Sequence, residues 1–316
     1  MKLINKNRSA GNLIKKKQGS SETTRDISKK HALLKKKFIY SKKKGIDENI
    51  KNINLDKNKL IQNSISNSIS NSNNNKNFYY WLGGLIDGDG SLLLNKKGYV
   101  NMEITLDEKD IQTLAYIKKN LGFGNITKRI GVKAVRIRSA AKQKNHIITL
   151  LENLEGKLLT EEKQKQWEIC VNAYNIEKKE KEKKIRINDI ITKTPWFSGF
   201  IDAEGHLNIM NKTTLAFHIS QKNKKILENI LNALEIGHIR YDKSWEGWIY
   251  SITNKEGIRK ILKYLTKHKL HTKKNSHVVT FKRLLYFIDN KYHLENIESK
   301  KYKKIFNIIN LFRKKI

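Results

Sequence analysis

The sequence predicts an α+β protein made of two pseudo-symmetric halves, each with the element order αββαββα. The first reason is a repeat: residues 82–90 read LGGLIDGDG, and residues 197–205 read FSGFIDAEG. The second reason is that each copy precedes the same succession of alternating and helical segments. Two related copies in one chain indicate halves that meet about a pseudo-two-fold axis.

The charge of the chain indicates a polyanionic partner, for which nucleic acid is the default. The 316 residues carry a formal net charge of +35. Residues 1–77 contain 19 Lys and Arg against 5 Asp and Glu, so they account for +14 and leave +21 on the remainder. A basic tail on an unrelated domain therefore does not explain the charge. The single cysteine, Cys170, excludes a disulfide within the chain, and no apolar run reaches membrane-spanning length, so no membrane partner is expected.

Residues 1–77 are predicted to be a basic, low-complexity leader without stable structure. Lysine triplets recur in it, and residues 63–77 consist almost entirely of Asn and Ser with scattered Ile. Such a composition buries too little apolar surface to offset chain entropy. A nucleic-acid-binding arm and an organelle-targeting leader are the alternatives. The abundance of Lys, Asn and Ile is also typical of AT-rich genomes, so we expect a mitochondrion or another organelle such as the chloroplast.

Each nine-residue repeat is predicted to form a helix with one face of small residues. Gly84 and Gly88 in the first copy, and Gly199 and Ala203 in the second, are spaced four apart and therefore share a helix face. Small residues at this spacing allow two helix backbones to approach closely. We therefore expect the two motif helices to pack against each other.

Capping signals predict where these helices begin and end. Asn77 and Thr194 are candidate N-caps, and Pro195 suits the first helical position. Gly90 and Gly205 suit the position just past a helix end. Both motif helices are therefore expected to end immediately before a glycine.

An acid precedes that glycine in each copy, Asp89 in the first and Glu204 in the second. A carboxylate is unfavourable at a helix C-terminus, so two acids placed there need a reason. Helices packed through their small faces would bring the two carboxylates side by side, where they repel unless a cation lies between them. The pair therefore indicates a site for a divalent metal.

The first half is predicted to span residues 78–183. Its strands are expected at 91–94, 99–106, 125–130 and 133–139, and its helices after the motif at about 107–121, 142–155 and 160–183. The second strand shows the pattern clearly, because Met102, Ile104 and Leu106 alternate with polar residues.

The second half is predicted at residues 194–290, after a linker at 184–193. Its strands are expected at 206–210, 215–221, 238–243 and 248–253, and its helices at about 224–234, 255–267 and 273–290. Residues 291–316 are predicted to add a basic C-terminal helix, because Ile305, Ile309 and Phe312 fall on one side of it.

Over residues 78–290 the chain resembles the LAGLIDADG homing endonucleases of the single-chain, two-motif type. These are intron- or intein-encoded enzymes, and some members act as RNA maturases. The resemblance rests on both nonapeptides and on the succession of elements after each. It implies that the motif helices form the central interface and that two four-stranded antiparallel sheets form a DNA-binding saddle.

The resemblance also implies the metal ligands. Asp89 and Glu204 match the acids that bind a divalent metal in this family, and the preceding Gly88 and Ala203 are assigned to the same metal site. Oxygen ligands of this hard type favour Mg²⁺. The reaction implied is metal-assisted hydrolysis of one phosphodiester on each DNA strand.

Other motif and strand positions receive roles from the same resemblance. Asp87 and Asp202 match a position that is mainly structural in the family. Gln221 matches a polar residue common at the end of the second strand, whereas its counterpart in the first half, Leu106, departs from the pattern. Such asymmetry is expected either to make cleavage of the two strands unequal or to indicate drift from activity.

Two lysines complete the expected catalytic set. Lys163 and Lys274 match a basic residue that follows the fourth strand in family members, so they are candidate electrostatic stabilisers or water-positioning groups. A solvated side chain or a phosphate contact is the alternative for each of them.

DNA contacts are expected from the polar faces of the strands, because the apolar faces pack against helices. Arginine can read guanine edges bidentately, whereas a phosphate contact positions the protein without specifying sequence, and both roles are open. The candidate residues are Arg136, Arg138, His218, Ser220, Arg240 and Lys128.

These features together predict a site-specific endonuclease that cleaves both strands of a long asymmetric DNA target and promotes intron mobility. An intron-splicing RNA maturase of the same fold is one alternative, with intron RNA as its partner. A DNA-binding protein that no longer cleaves is another. The resemblance to single-chain members implies a monomer.

Overall fold

Two four-stranded antiparallel sheets, each covered by helices, make up the computed structural model, which describes residues 74–177 and 185–314. Most of the predicted leader lies outside the described residues, as do the Lys- and Glu-rich positions 178–184. None of the helices within the described ranges is long and apolar enough to cross a membrane.

The first half begins with the motif helix and has the predicted order of elements. Its helices are α1 (74–89), α2 (Ile111–Leu121), α3 (Lys144–Leu154) and α4 (Glu161–Ala173), and its strands are β1 (Gly90–Leu94), β2 (Val100–Asp107), β3 (Asn125–Lys128) and β4 (Ala134–Arg138).

The second half repeats this order and adds a helix at each end. Its helices are α5 (Ile187–Lys193), α6 (Trp196–Glu204), α7 (Lys224–Leu234), α8 (Lys255–Lys267), α9 (Lys274–Asp289) and α10 (Lys300–Arg313), and its strands are β5 (Gly205–Met210), β6 (Thr214–Gln221), β7 (His238–Asp242) and β8 (Gly247–Ile252).

The pseudo-symmetry of the halves holds at the level of strand register. The strand orders are β1-β2-β4-β3 and β5-β6-β8-β7, with the first strand of each sheet directly following a motif helix. Gly90 pairs with Ile104 in the first sheet, and the equivalent Gly205 pairs with Ile219 in the second. The glycine after each acid is therefore fixed at the same place in both sheets.

Alternation along the strands gives each half its own core. In β2, Met102 and Ile104 are fully buried and face the helices, and Phe217 and Ile219 do the same in β6. The two cores touch through the motif helices, because Tyr80 of the first half is buried in the second core. Burial at about 25 cal/mol per Å² of apolar surface makes these cores the main source of stability.

Direct hydrogen bonds also join the halves away from the motif helices. Thr113 Oγ1 donates to the backbone oxygen of His271 at 2.7 Å, and the backbone nitrogen of Lys273 donates to Asp110 Oδ1 at 2.6 Å. Lys273 Nζ also forms an ion pair with Asp107 Oδ2 at 3.0 Å. The start of α2 is thus bound to the segment before α9.

Two details of the motif helices differ from prediction, and a third is as predicted. Asn77 is not an N-cap, because residues 74–77 are already helical and belong to α1 rather than to the leader. The helix α6 begins at Trp196, with Thr194 Oγ1 accepting from its backbone nitrogen at 3.2 Å. Gly205 directly follows the end of α6, as predicted; its backbone is extended, with φ −74°, and an added methyl would lie 2.8 Å from the backbone oxygen of Ile201.

Two predicted boundaries also change. The helix expected at 160–183 ends at Ala173, and Asn175, with φ 51°, turns the chain after it. The predicted linker, residues 184–193, contains the helix α5, whose Ile190 and Ile191 are buried in the second core. The second half therefore recruits part of the linker, because that segment carries apolar residues that the core can cover.

The C-terminal helix α10 is bound to the second core. Ile305, Ile309 and Phe312 are buried, as the spacing predicted. At its end, the Arg313 guanidinium donates to the backbone oxygens of Ile209 and Asn211 at the β5–β6 turn.

Candidate active site

The motif helices α1 and α6 cross at two reciprocal glycines. A methyl group added at Gly84 would lie 1.9 Å from the backbone oxygen of Trp196, and one added at Gly199 would lie 1.9 Å from the backbone oxygen of Trp81. Only a hydrogen fits at either position. The small faces of the two helices are therefore in contact at the centre of the molecule.

The same packing brings the two acids together at the helix ends. A methyl group added at Gly88 would lie 2.3 Å from Ala203 Cβ and 3.4 Å from Glu204 Oε1. Asp89 follows Gly88 directly, so both carboxylates occupy one small region. Two carboxylates contributed by different halves thus form the centre of the candidate site.

Burial disfavours the ionised forms of both acids, and repulsion by Asp89 adds to this effect at Glu204. Burial raises the pKa of Asp89 to about 6, although the charge of Lys274 opposes this effect. Burial and the charge of Asp89 raise the pKa of Glu204 to about 7, with Lys274 and Lys163 opposing. Such a pair needs positive charge nearby in order to be fully ionised near neutral pH.

Lys274 supplies part of that charge and explains how an acid can end α6. Its Nζ donates to the backbone oxygens of Ile201, Asp202 and Ala203 at 3.2, 2.8 and 2.8 Å. A cation at a helix C-terminus satisfies carbonyl groups that lack helical partners. The Lys274 ammonium is thereby fixed beside Glu204, and burial lowers its pKa while neighbouring acids oppose that shift.

Lys163 occupies the equivalent sequence position but has a different contact. Its side chain is 12% exposed, and its Nζ lies 3.0 Å from Glu162 Oε1. Its charge still favours ionisation of Glu204. The two lysines are therefore not interchangeable.

Gln221 and Leu106 make the surroundings of the two acids unequal. Gln221 Nε2 donates to Glu204 Oε1 at 2.7 Å. Leu106, its counterpart in the register of the first sheet, is buried in the apolar core. Among the described residues, none donates a hydrogen bond to the Asp89 side chain, so only Glu204 is oriented by a neighbour.

Asp87 and Asp202 point away from the acid pair and join the two halves. Asp87 accepts from the backbone nitrogens of Leu159 and Thr160 at 2.8 and 3.0 Å, from Thr160 Oγ1 at 2.6 Å, and from Trp196 Nε1 at 2.9 Å. Its carboxylate therefore receives four donors, one of which comes from the opposite half. Burial raises the pKa of Asp87 to about 6, and these donors oppose the shift.

Asp202 makes the symmetry-related set of contacts. It accepts from the backbone nitrogens of His271 and Thr272 at 2.9 and 3.1 Å, from Thr272 Oγ1 at 2.6 Å, and from Trp81 Nε1 at 2.9 Å. The tryptophans that precede the motifs thus each bind the aspartate of the other half. These contacts fit the structural role expected for both aspartates.

The outer face of the first sheet carries an arginine pair around one acid. Glu103 lies 3.4 Å from Arg136 Nη1 and 3.5 Å from Arg138 Nε. The strand register places Thr105 opposite Arg136 on this same face. Both arginines therefore lie on the polar face, as predicted. The prediction did not include Glu103, which forms ion pairs with both of them.

The outer face of the second sheet carries His218, Ser220 and Arg240, as predicted. His218 Nδ1 lies 2.9 Å from Ser251 Oγ, and Arg240 Nη1 lies 3.3 Å from Asp242 Oδ2. Burial and nearby positive groups lower the pKa of His218. The prediction missed two more histidines on this face. His206 pairs with His218 and His238 pairs with Ser251, so the pairing of the strands, rather than the sequence pattern, identifies them.

Lys128 does not belong to the polar face. It pairs with Val135, and Ile126, two residues earlier in the strand, pairs with Ile137, so the register gives Lys128 the same side of the sheet as the buried Val135. Its ammonium forms an exposed ion pair with Glu108. The register therefore separates Lys128 from the face that carries Arg136 and Arg138, and its proposed contact with DNA stays a prediction.

Two pseudo-symmetric αβ halves, joined through paired small-residue helices that end in acids, define the class of two-motif, single-chain LAGLIDADG folds. The LAGLIDADG endonuclease family model matches residues 82–174 and 197–285. The chain belongs to this family.

Curated relatives share the sequence in part. A probable intron-encoded endonuclease 4 from Neurospora crassa is 31% identical over 211 residues, which cover 62% of this chain and 38% of the relative. The intron-encoded RNA maturase bI4 of Saccharomyces cerevisiae is 35% identical over 187 residues, which cover 57% of this chain and 28% of the relative. The chain thus matches less than half the length of either relative.

Solved structures share the fold. The meganuclease I-SmaMI bound to uncleavable DNA has a TM-score of 0.57 at 19% identity, over 73% of this chain and 97% of that one. The LAGLIDADG meganuclease I-AabMI bound to uncleaved DNA has a TM-score of 0.56 at 18% identity, and the match covers 72% of this chain and 98% of I-AabMI. The predicted fold class is confirmed.

Proposed function

We propose that this chain is a homing endonuclease that hydrolyses both strands of a long, asymmetric DNA target and so promotes intron mobility. The observation that carries the proposal is the convergence of Asp89 and Glu204, one from each half, at the ends of the paired motif helices. Sheets with polar outer faces flank this pair. Family membership and the names of intron-encoded relatives support the same function.

The donor set at the two helix ends fits Mg²⁺. Among the described residues, no group of three or more His, Cys, Asp and Glu side chains is arranged to hold a metal ion. Mg²⁺ typically binds through one or two carboxylates and keeps its other positions for water and substrate phosphate. Asp89 and Glu204 supply such a pair, and the backbone carbonyl of Gly88 lies next to Asp89 in sequence. The Ala203 carbonyl, also predicted as a ligand, instead accepts from Lys274 Nζ at 2.8 Å. A structural neighbour, I-SmaMI, was solved with uncleaved DNA in the presence of calcium ions.

Each residue of the site then has a distinct task. Asp89 and Glu204 hold the ion, and the chemistry that a bound Mg²⁺ supplies is polarisation of the scissile phosphate and activation of water. Gln221 fixes the rotamer of Glu204 through its 2.7 Å hydrogen bond. Lys274, fixed to the end of α6, offers positive charge to the phosphate, and Lys163 does so from the first half.

Recognition of the target is assigned to the polar faces of the sheets. Arg136 and Arg138 in the first sheet, and His218, Ser220 and Arg240 in the second, are the proposed contacts. The excess positive charge outside the leader favours phosphate binding along the same surface. Because the chain carries both halves, we propose that a monomer acts on the two strands.

The test uses DNA that spans the uninterrupted insertion site of the intron. With Mg²⁺, the purified chain should cut both strands, and Asp89→Asn or Glu204→Gln should lose at least about a thousandfold in rate. Asp189→Asn, a matched change at a partly exposed acid of α5 that pairs with Lys193 and belongs to neither motif, should cleave normally. Absence of cleavage by the unaltered chain, or equal loss in Asp189→Asn, contradicts the proposal.

Metal binding can be followed without cleavage. Calorimetric titration of Ca²⁺ into the protein–DNA complex should show binding that Glu204→Gln weakens by about tenfold or more. Equal affinity in the variant would remove Glu204 from the ligand set.

A maturase function is the second candidate, favoured by the 35% identity to the relative named as an RNA maturase. Intron-dependent RNA binding and assisted splicing, without DNA cleavage, would support it. We also propose a mitochondrial location, because one relative is named for a cox1 intron.

A further inference from the structure

A polar cleft of about 740 Å³ lies at the far end of the motif helices from the acids. Both halves form it: Asn77 and Phe78 of α1 face Pro195 and the end of α8 across it. Twelve residues of helix separate Asn77 from Asp89, which corresponds to about 18 Å at 1.5 Å per residue. The cleft is therefore separate from the candidate active site, and its volume is typical of a small-ligand site.

The lining of the cleft suits an anion with hydrogen-bonding edges. Lys267 and Lys269 contribute positive charge, and no carboxylate is present among the described residues that line it. Four asparagines, at positions 74, 75, 77 and 120, add amide donors and acceptors. The two lysines would attract a bound phosphate, and no described residue of the lining would repel it.

An aromatic platform lies in the same cleft. The rings of Tyr116 and His271 are stacked with centroids 4.3 Å apart and an interplanar angle of 14°, and Trp81 lies 4.6 Å from His271. His271 is packed between these rings but keeps part of its surface exposed. Planar rings of this kind stack on nucleic-acid bases with little dependence on sequence.

A buried polar atom in the lining has no partner. His268 is 8% exposed, and its Nε2 makes no hydrogen bond with any part of the chain that the structure describes. Burial lowers the pKa of His268 and of His271, so both imidazoles are neutral near pH 7 and can donate or accept. A buried nitrogen without a partner is unfavourable unless a ligand or water satisfies it.

We propose that this cleft binds one unpaired nucleotide, with its phosphate at Lys267 and Lys269, its base against the Tyr116–His271 pair, and a polar edge at His268. The ligand is a nucleoside phosphate, supplied either as a free nucleotide or as an unpaired position of an RNA strand. The inference does not depend on DNA cleavage, because none of these residues belongs to the acid pair.

The test is titration of the full chain with AMP, with inorganic phosphate and with adenosine, followed by calorimetry at about 150 mM salt. AMP should bind at least about tenfold more tightly than either fragment, because it engages both the lysines and the rings. The double variant Lys267→Ala/Lys269→Ala should weaken AMP binding by about tenfold or more, and His271→Ala should do likewise. Lys260→Ala/Lys263→Ala removes the same charge from exposed positions of α8 outside the cleft and should bind AMP normally.

A fluorescein-labelled ribonucleotide octamer separates the two sources. Competition of the octamer by AMP, lost in His271→Ala, supports an RNA nucleotide as the ligand, whereas AMP binding without competition supports a free nucleotide. AMP affinity no higher than that of phosphate, or equal weakening by the two lysine pairs, overturns the proposal. Because DNA cleavage is measured on the same variants, failure of the nucleotide site is distinguishable from failure of the endonuclease function.

Discussion

Replacement of Gly199 by alanine should destabilise the protein far more than a helix-interior glycine normally does. The added methyl would lie 1.9 Å from the backbone oxygen of Trp81, whereas a carbon–oxygen contact needs about 3.3 Å. The helices must then separate by about 1.4 Å at this crossing. The obstacle is a backbone atom, so no change of rotamer can remove it.

The expected size follows from what that separation breaks. Overpacking costs about 1–3 kcal/mol. The two tryptophan–aspartate hydrogen bonds across the interface, each 2.9 Å long, are worth about 1.5–3 kcal/mol apiece because the acceptor is a carboxylate. Alanine recovers about 1 kcal/mol through its higher helix propensity. The unfolding free energy should therefore fall by about 3–8 kcal/mol, and by the same amount in the symmetry-related Gly84→Ala.

Urea denaturation followed by circular dichroism measures this loss. Gly98→Ala is the control, because Gly98 has φ 79° and open space around it, so alanine there should cost only about 1–2 kcal/mol of backbone strain. The double variant Gly84→Ala/Gly199→Ala should lose less than the sum of the single losses, since one separation accommodates both methyl groups. A loss in Gly199→Ala no larger than in Gly98→Ala would refute the close approach of the helices.

Three further predictions concern the acids and their neighbours. Gln221→Leu should slow cleavage of one DNA strand by about 10–100-fold, because Glu204 loses the donor that orients it. Nicked plasmid should therefore accumulate, whereas Leu106→Gln should leave cleavage by the Glu204 side unaffected. Equal slowing of both strands would contradict the asymmetry of the site. Glu204→Gln should stabilise the metal-free protein by about 1–3 kcal/mol at pH 8 but not at pH 4. The pKa of Glu204 is about 7 in the folded protein and 4.5 ordinarily. The contribution of Glu204 to stability is therefore complete below pH 4.5 and is lost as the pH rises through 7. Urea titrations at both pH values test this sign. Asp87→Asn should cost about 3–5 kcal/mol, because an amide nitrogen would face the donors from Leu159 and Trp196; a variant that keeps its stability but loses cleavage would instead make Asp87 a ligand.

The repeat made most of the fold predictable from sequence. Local patterns determine helices and strands because side-chain period is set by each element alone, and both halves repeat those patterns. The helix α7 was predicted at its observed bounds for this reason. The motif acids followed from their place before a glycine at each helix end.

Boundaries that depend on long-range packing were less predictable. The segment 187–193 carries apolar residues too few to identify a helix, and only the second core gives it a surface to cover. The end of α4 at Ala173 depends on a left-handed turn at Asn175, which the sequence does not distinguish from further helix.

The sequence by itself determined that two related halves meet and that each contributes one acid. Tertiary structure decided which partners those acids have. It pairs Gln221 with Glu204 but buries Leu106 in the core. It places Lys128 on the opposite side of the first sheet from Arg136 and Arg138. It also joins each motif aspartate to a tryptophan of the other half. The physical reason is that sequence pattern encodes the environment of a residue within its own element, whereas register and the crossing of two helices are set by contacts between residues far apart in the chain.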